Sequence, residues 1–325
     1  MRRRTFLSLA AFVLTTQARA ATTPLTIAVS SSSLAYGSLK IAQQAGLFQK
    51  NGIDPKVMVM ESGNAAITAV VAGSAGFSGA GAGEVLAARV RGQDIVIVSN
   101  IYRGLSGSLV LSKSVAEKLG VAPNAPVEER LKALNGLVIA APSATSAYLT
   151  PYKSAAEAVG SAIRFVYMTQ PAMVAALQVG AIQGLSAGAP FSITPVLNGT
   201  GTLWISGPKA ELPAEHGLRS SACVQTTADY ARVHPELILA LQATFRDVSS
   251  LIKTNPDQAK MLLAKAYPQL DPATLDAAFA ESADNWANPV MTADDIAQEI
   301  RVQVGAGSLP GVDKLDPAAI VWPWR

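Results

Sequence analysis

The sequence predicts an α/β protein of two similar units, each a mainly parallel sheet flanked by helices. Short β-branched runs alternate with helical patterns from residue 24 to residue 100 and again from residue 137 to residue 190. Such alternation is typical of parallel strands joined by helical crossovers. From Asp229 onward the pattern is almost entirely helical. With 325 residues, of which 50% are hydrophobic, the chain can bury the cores of two domains.

The first unit alternates strands and helices from its start. PLTIAVSSSS (24–33) is a predicted strand that ends in a serine cluster, and LAYGSLKIAQQAGLFQKNG (34–52) places apolar residues at helical spacing up to Gly52. DPKVMVMES (54–62) is the second predicted strand, and AAITAVVAG (65–73) is the second helix. The glycine-rich GFSGAGA (76–82), a helix in EVLAARVRG (84–92) and a buried strand in DIVIVSN (94–100) complete this unit.

The second unit repeats the plan without repeating the sequence. SGSLVLSK (106–113) and LVIAAP (137–142) are predicted strands, and SATSAYLTPYKSAAEAVG (143–160) is a predicted helix whose start carries several hydroxyl groups. IRFVYMT, the helix QPAMVAALQVG and IQGLSAGAP follow, and TLWISG and SSACVQTT are the last predicted strands before the helical tail. The chain is therefore expected to end in a tail that returns to the first unit.

Residues 1–20 have the layout of a secretory signal. A basic head is followed by an apolar run from Phe6 to Thr16, and Ala18 and Ala20 form a small-x-small cleavage site. Arg3 and Arg4 also resemble a twin-arginine signature, so Sec and twin-arginine export both remain open. We expect cleavage after Ala20.

Removal of this segment changes the charge of the chain. The formal net charge is +3, and the loss of four arginines leaves about −1, so we expect no nucleic-acid partner. A membrane span needs about eighteen consecutive apolar residues, and the sequence after residue 20 has no such stretch.

Catalytic chemistry has little support in the residue types. Cys223 is the only cysteine, and His216 and His234 do not have the spacing of metal ligands. The sequence also has no G-x-S-x-G motif, which would mark a serine nucleophile. The acidic pairs 128–129 and 294–295 are expected in the first turns of helices, where negative charge favours the helix dipole. The sequence therefore predicts no enzyme activity, no metal and no cofactor.

The glycine-rich segment AGSAGFSGAGAGEVL (72–86) does not match a nucleotide-binding loop. Its spacing is G-x-G-x-G, the apolar run before it is about two residues long, and no carboxylate ends the next strand. We interpret it as a turn at the edge of a ligand cleft, where glycine lets the backbone approach a small molecule.

Small polar loops recur where predicted strands lead into helices. They comprise residues 30–33, 62–64, 78–81, 143–146 and 187–190. In open α/β sheets, ligands bind beyond the carboxyl ends of the strands, where helix N-termini offer free N–H groups. Ordinary capping by Ser and Thr would explain any one of these loops, but their recurrence favours a small ligand.

Several segments resemble the periplasmic substrate-binding proteins of ABC importers of the nitrate, sulfonate and taurine type, also called NMT1/THI5-like. LKIAQQAGLFQKNGIDPKV (39–57) is similar to the family's A-x-x-x-G-L-F-x-x-x-G-I/L-x-V element, and AALQVGAIQGLSAGAP (175–190) to its second-lobe A-L-x-x-G-x-I-D-A element. HPELILALQATF and GSLPGVDKLDP resemble the start and the close of its tail. Where the family usually has aspartate, this chain has Gly76 and Gln183.

The resemblance implies a type II periplasmic binding protein fold, with two lobes joined by two crossing segments near residues 106–112 and 206–225. The expected domains are the signal peptide 1–20, the first lobe 21–106 and 227–325, and the second lobe 107–226. Lobe closure would trap the ligand between them. Carried over loop by loop, the resemblance predicts these ligand-binding residues: Ser32, Ser33, Tyr36, Asn64, Gly81, Arg103, Ser143, Thr145, Ser146, Phe191 and Trp286.

The resemblance further implies a monomeric periplasmic protein that delivers a small molecule to an ABC permease. We expect an organic anion, a sulfonate or carboxylate, gripped by Arg103, because a guanidinium binds such groups bidentately. Three alternatives stay open. They are a neutral pyrimidine-like thiamine precursor stacked on Tyr36, Phe191 and Trp286, a ligand-presenting sensor module, and an enzyme related to thiamine-pyrimidine synthases.

Overall fold

The alternating pattern forms two five-stranded sheets. The structure, a computed structural model, describes residues 22–60 and 62–325; the predicted signal segment 1–20 lies outside the described residues. The strands are β1 Thr23–Val29, β2 Ile53–Val59, β3 Phe77–Ala80, β4 Ile95–Arg103, β5 Gly107–Ser112, β6 Val138–Ala141, β7 Arg164–Tyr167, β8 Gly184–Gly188, β9 Gly201–Ile205 and β10 Ser220–Thr227.

Helices connect these strands and form the tail. They are α1 Gly37–Gln44, α2 Leu47–Lys50, α3 Gly63–Val71, α4 Ala82–Val90, α5 Lys113–Lys118, α6 Val127–Lys132, α7 Thr150–Ala158, α8 Gln170–Gln178, α9 Thr194–Leu197, α10 Ala228–Val233, α11 Pro235–Thr254, α12 Pro256–Ala266, α13 Pro272–Trp286 and α14 Ala293–Gly305. Short 3-10 turns lie at Leu34–Tyr36, Val312–Lys314 and Pro317–Ile320. No helix among the described residues combines the length and the apolar character that crossing a membrane requires.

The two sheets share one topology. The first has the order β2-β1-β3-β10-β4 and the second the order β7-β6-β8-β5-β9. Strand β1 is parallel to β2 and β3, and β6 is parallel to β7 and β8. Strands β10 and β5 are antiparallel to both of their neighbours. The prediction of mainly parallel sheets flanked by helices is therefore confirmed.

The register brings the strand ends to one edge of each sheet. The last residue of β1, Val29, lies opposite both Val59 of β2 and Gly79 of β3. In the second sheet, Ala141 at the end of β6 lies opposite Tyr167 at the end of β7. Loops that follow these strands consequently emerge side by side, which is where open α/β sheets bind ligands.

The chain passes between the lobes twice, through residues 104–106 and 206–219. Strand β10 falls within the range 107–226 predicted for the second lobe, yet it pairs with β3 and β4 of the first sheet. We therefore propose that the second lobe ends before Ser220. Most of the tail packs on the first lobe, where Leu241 and Phe245 of α11 join the core around β1 and α1, and Val302 of α14 joins the core of the second lobe.

Two local expectations were wrong. The helix predicted from Ser143 begins at Thr150, because Pro151 has no N–H and a φ suited to a first turn, so it favours a helix start there. Residues 78–80, expected in a loop, belong to the buried strand β3. A Cβ on Gly79 would lie 2.9 Å from Cε1 of Tyr36, so the absence of a side chain lets this strand lie against the tyrosine ring.

Candidate functional site

A small cavity of about 30 Å³ lies between the lobes at the carboxyl ends of the parallel strands. It is lined from the first lobe by Ser30, Ser31, Tyr36, Ser62, Gly63, Gly81, Glu84 and Ser221, and from the second by Pro142, Ser146, Ala147, Tyr148 and Gln170. A water molecule needs about 10–15 Å³ by the same kind of measure. The lobes as they stand thus enclose room for a very small group, and a larger ligand requires them to separate.

The serine cluster after β1 places Tyr36 on the cavity. Ser30 Oγ and the Tyr36 hydroxyl are 2.6 Å apart, and that hydroxyl donates to the carbonyl of Gly79 at 2.9 Å. Burial raises the pKa of Tyr36 well above its usual value, so the phenol stays neutral. The ring is therefore held at the carboxyl ends of β1 and β3 and presents an uncharged wall to the cavity.

A chain of hydroxyl groups joins the two lobes beside the cavity. The Tyr148 hydroxyl of the second lobe lies 3.4 Å from Ser33 Oγ of the first, and accepts a hydrogen bond from Ser106 Oγ at 3.2 Å. Ser221 Oγ donates in turn to Ser106 Oγ at 2.8 Å. Because Ser106 belongs to the first crossing segment, these bonds couple that segment to both walls of the cavity.

Gln170 is the amide of the site. It is the first residue of α8, directly beyond β7, and its Oε1 accepts from the backbone N–H of Gly188 at 2.9 Å. This bond fixes the orientation of the amide, so its N–H₂ group lies on the side away from the Gly188 N–H. Gln170 therefore offers a donor to a ligand in the cavity.

Glu84 is the charged residue of the cavity. It is the third residue of α4, it is only 5% exposed, and its Oε1 accepts a long hydrogen bond of 3.5 Å from Ser143 Oγ. Its Oε2 is buried and has no hydrogen-bond partner among the described residues. Burial raises the pKa of Glu84 to about 7, although hydrogen bonds from its own backbone N–H, from the Ser143 hydroxyl and from the backbone N–H of Gly81 act in the opposite direction.

Glycines surround this carboxylate. A Cβ on Gly63 would lie 2.7 Å from Glu84 Cγ, and one on Gly81 would lie 2.6 Å from its Oε2. A Cβ on Gly83 would lie 2.2 Å from the carbonyl oxygen of Thr145 in the second lobe. Real Cβ atoms do not approach so closely, so the glycine-rich segment serves to fit the glutamate and the opposing lobe around one small space.

No arginine or lysine of the described chain lines this cavity. Its polar surface consists of hydroxyls, an amide, backbone groups and the Glu84 carboxyl. The starts of α3 and α4 reach the cavity at Gly63 and at Gly81, the N-cap of α4. The cavity thus combines the starts of two helices, which favour negative charge, with the acidic side chain of Glu84.

Some predicted site residues do meet here. Tyr36, Gly81 and Ser146 line the cavity. Ser33 is fully buried behind it and contacts Tyr148, and Ser143 donates to Glu84. The structure thus brings five of the predicted residues to one place.

Arg103 is placed elsewhere, contrary to its predicted role. Its guanidinium lies 2.7 Å from Asp295 Oδ1 and 3.1 Å from Asp295 Oδ2, and it donates to the Val290 carbonyl at 3.2 Å. Arg103 ends the edge strand β4, it does not line the cavity, and the start of α14 lies against it. An anion in the cavity would not contact this group.

The remaining predicted residues also lie off the cavity. Trp286 is 2% exposed, and its Nε1 donates to the Leu34 carbonyl at 3.1 Å inside the first core. Phe191 packs beside the core of the second lobe, and Asn64 is exposed on α3. Ser32 is half-buried outside the lining, and Thr145 accepts from Gln303 Nε2 at 3.5 Å through its carbonyl.

Gly76 and Gln183, which stand where the family usually has aspartate, make contacts that support the sheets. The backbone N–H of Gly76 donates to the Thr26 carbonyl ahead of β3, and a Cβ on it would lie 2.8 Å from the Tyr230 hydroxyl. Gln183 Oε1 accepts from the N–H of Val138 at 2.9 Å, at the start of β6. Both lie at the opposite edge of their sheets from the cavity, so Gly76 does not enlarge the ligand space.

Sequence reasoning missed Glu84, Tyr148, Gln170 and Ser221. A signal for Glu84 was present, since it is the one charged residue among AGAGEVLAA, directly after the glycines. Nothing in the sequence distinguishes Tyr148 or Ser221 from ordinary buried polar residues, because their role depends on contacts across the lobes.

A larger cavity of about 380 Å³ lies at the crossing segments and is lined by residues such as Leu105, Pro208, Leu212 and Asn285. Its lining includes Gly104 after β4 and Gly207 after β9, and Arg219 is its charged residue. Size alone favours this cavity, but the smaller one is lined by the residues that directly follow the parallel strands β1, β3 and β6, where open α/β sheets bind ligands. We therefore place the candidate site in the smaller cavity.

Comparison with known proteins agrees with this geometry. A model of the NMT1-like family matches residues 18–267. The chain belongs to the NMT1-like family. No curated protein sequence matched it.

Solved structures with the fold of this NMT1-like chain include three named binding proteins. The alkanesulfonate-binding protein SsuA from Xanthomonas axonopodis pv. citri bound to MOPS is 18% identical with a TM-score of 0.74, over 93% of this chain and 99% of that one. The periplasmic aliphatic sulphonate binding protein SsuA from Escherichia coli is 17% identical with a TM-score of 0.69, over 92% and 97%. The periplasmic nitrate-binding protein NrtA from Synechocystis PCC 6803 is 14% identical with a TM-score of 0.65, over 90% and 86%.

Proposed function

We propose that this NMT1-like protein is the solute-binding component of an ABC importer. It captures a small polar molecule between its lobes and presents it to a permease, and it makes or breaks no bond. The observation that carries this proposal is the cavity bounded by strand ends of both lobes. Family membership and the likeness to periplasmic binding proteins support it.

Capture would proceed by hinged closure. The N–H of Leu34 in the first lobe donates to the Ala189 carbonyl in the second at 2.7 Å, and the Tyr148 hydroxyl spans the lobes as described. Further hydrogen bonds between the lobes are Ser143–Glu84, Gln303–Thr145 and Lys153–Ala306. Opening would exchange these bonds for bonds to water while the two crossing segments keep the lobes joined.

The proposed location is the periplasm, with export directed by residues 1–20. The layout of that segment supports this, as does the periplasmic origin of the named structures. A monomer is the proposed state, since both walls of the cavity come from one chain.

The organic anion expected from the resemblance has less support than the fold. The three similar structures are those of proteins named for binding alkanesulfonates, aliphatic sulphonates and nitrate. In this chain the residues that line the cavity contribute no basic side chain, and Arg103 is paired with Asp295. The pyrimidine alternative retains one of its three aromatic residues, Tyr36. We therefore propose a small polar organic ligand held by hydroxyls, an amide and Glu84.

A thermal-shift series on the mature protein tests the proposal. A ligand that binds only the folded state raises the melting temperature with its concentration. The panel would hold sulfonates, carboxylates, nitrate, amines, amidines and aminopyrimidines. We expect at least one of these compounds to raise the midpoint, whereas no shift with any of them, or turnover of one, would overturn the proposed function.

A matched pair of variants ties the shift to the cavity. Ser62 lines it, whereas Asn64 lies two residues away and is exposed. Ser62→Phe should abolish the shift by filling the space, and Asn64→Phe should preserve it. Because Ser62 Oγ also caps α3 by accepting from Ala65 N–H, Ser62→Ala controls for the loss of the cap.

A further inference from the structure

We propose that Glu84 selects ligands with a cationic nitrogen, an amine or amidine type of group whose N–H donates to its Oε2. This inference rests on the proposed function and specifies the ligand class of the same cavity. It reverses the charge of the ligand that the family resemblance predicts.

The carboxylate itself supplies the first argument. Glu84 is 5% exposed, it lines the cavity, and its Oε2 has no hydrogen-bond partner among the described residues. A buried carboxylate oxygen without a partner costs free energy, and a charged donor offsets that cost best. A ligand N–H placed in the cavity would fill this deficit.

The fit of the surrounding glycines supplies the second. Any side chain at Gly81 would meet Oε2, and any side chain at Gly63 would meet Cγ and the carboxyl group. The backbone at both positions lines the cavity as well. The two glycines thus hold the carboxyl group at the wall of the ligand space and cover it with no protein side chain of their own.

Among the residues that the structure describes, no arginine or lysine lines the cavity beside Glu84. Tyr36 faces it from the turn after β1, Tyr148 from the loop before α7, and Cys223 from β10, and burial raises the pKa of all three. Ser143, on the loop after β6, donates to Oε1 and is uncharged. A cation from solution is therefore the natural partner for this acid.

The protonation state of Glu84 distinguishes the proposal from its opposite. Burial raises the pKa of Glu84 to about 7, so the group changes charge near neutral pH. A ligand that donates to the carboxylate binds more tightly as the pH rises through this range. An anion that accepts from the protonated acid binds more tightly as the pH falls.

Two triples of isosteric compounds test the charge preference. Acetamidine, acetamide and acetate have nearly the same shape and differ in charge, as do benzamidine, benzamide and benzoate. Amidines stay protonated between pH 6 and pH 8, so any change in their binding over this range comes from the protein. Dissociation constants would be measured by NMR titration and calorimetry for the wild type, for Glu84→Gln and for Glu129→Gln, which makes the same change on the exposed surface of α6.

We expect an amidine to bind more tightly than its amide and its carboxylate, and to gain affinity from pH 6 to pH 8. Glu84→Gln should weaken the amidine by about 10- to 100-fold, the usual effect of losing a hydrogen bond to a charged group, and remove the pH dependence. Glu129→Gln should change neither.

Tighter binding of the carboxylates, an unchanged amidine affinity in Glu84→Gln, or no binding by either amidine would each overturn the assignment of Glu84. The proposed function would survive any of these results if another compound of the panel gave a shift that Ser62→Phe abolishes. It would fail if no compound did so or if the protein turned one of them over.

Discussion

Arg103 and Asp295 form a two-pronged ion pair that ties β4 to the first turn of α14. The Nη2–Oδ1 distance is 2.7 Å and the Nη1–Oδ2 distance is 3.1 Å, and the Asp295 side chain is 5% exposed. Burial alone would raise the pKa of Asp295, but hydrogen bonds from Arg103 and Thr292 together lower it. The pair therefore holds a buried aspartate in its charged form and belongs to the scaffold.

Arg103→Ala should lower stability and leave ligand affinity unchanged. The substitution leaves the Asp295 charge buried with fewer partners, and we expect a loss of roughly 2–4 kcal/mol in the free energy of unfolding, since the arginine is itself partly exposed. Urea unfolding measures this, and calorimetry measures the affinity.

Adding Asp295→Asn to Arg103→Ala should recover part of the loss, because it removes the unpaired charge. A loss of ligand binding in Arg103→Ala without a loss of stability would show that the arginine contacts the ligand after all.

Glu84→Gln should make the protein more stable at pH 8 and have little effect at pH 4.5. Because the folded-state pKa of Glu84 is raised to about 7, the wild type loses stability as the pH rises from its unfolded-state pKa of 4.5 to about 7. The full effect is roughly 3 kcal/mol, from about 1.4 kcal/mol for each pKa unit. Unfolding curves at several pH values test this.

Glu299, whose pKa burial raises to about 8, is present in both proteins, so its contribution cancels in the comparison. Equal stability of wild type and Glu84→Gln at pH 8 would mean that solvent or another partner already satisfies the carboxylate.

Gly83→Ala should weaken ligand binding although alanine favours a helix over glycine by about 1 kcal/mol. Its Cβ would lie 2.2 Å from the Thr145 carbonyl oxygen, a backbone atom that cannot rotate away, so the lobes would have to separate. A larger radius of gyration by solution scattering would accompany the weaker binding.

Gly305→Ala serves as the matched control for Gly83→Ala. Its Cβ likewise meets the second lobe, here where α14 lies against α7, but the atom it meets is the Ser154 hydroxyl oxygen at 2.6 Å, which can rotate. This variant should bind ligand normally. If both variants behaved alike, contact at Thr145 would not control closure.

Tyr148→Phe should weaken ligand binding more than Tyr152→Phe does. The Tyr148 hydroxyl contacts Ser33 and Ser106 across the lobes, whereas the Tyr152 hydroxyl donates to the Gly107 carbonyl at 2.8 Å within the second lobe. Each substitution removes a buried hydroxyl, which costs about 1 kcal/mol of stability. Unfolding and affinity measured on both variants separate stability from coupling of the lobes, and an equal affinity would exclude the coupling role.

The sequence predicted the fold well because its signals are local. Alternating runs and the helical tail depend on short-range periodicity, and the resemblance near residues 39–57 and 175–190 placed both lobes. Tyr36, Gly81 and Ser146 line the cavity as the sequence predicted, because topology sets where loops after parallel strands lie. Arg103 and Trp286 do not line it, and the sequence does not show their partners, Asp295 and the Leu34 carbonyl, which lie 192 and 252 residues away. Glu84 was missed because its burial depends on Gly63 and on the opposing lobe.

The pairing of β10 with the first sheet has a consequence for the order in which the protein can fold during synthesis. The second sheet contains β5 to β9 and needs nothing beyond residue 205, whereas the first sheet needs β10, which ends at residue 227. A chain synthesised from its N-terminus thus begins the first sheet earliest and finishes it last, after every strand of the second sheet has been made. A fragment cut at residue 106 would lack β10, the strand between β3 and β4, and β4 would have no neighbour in its sheet.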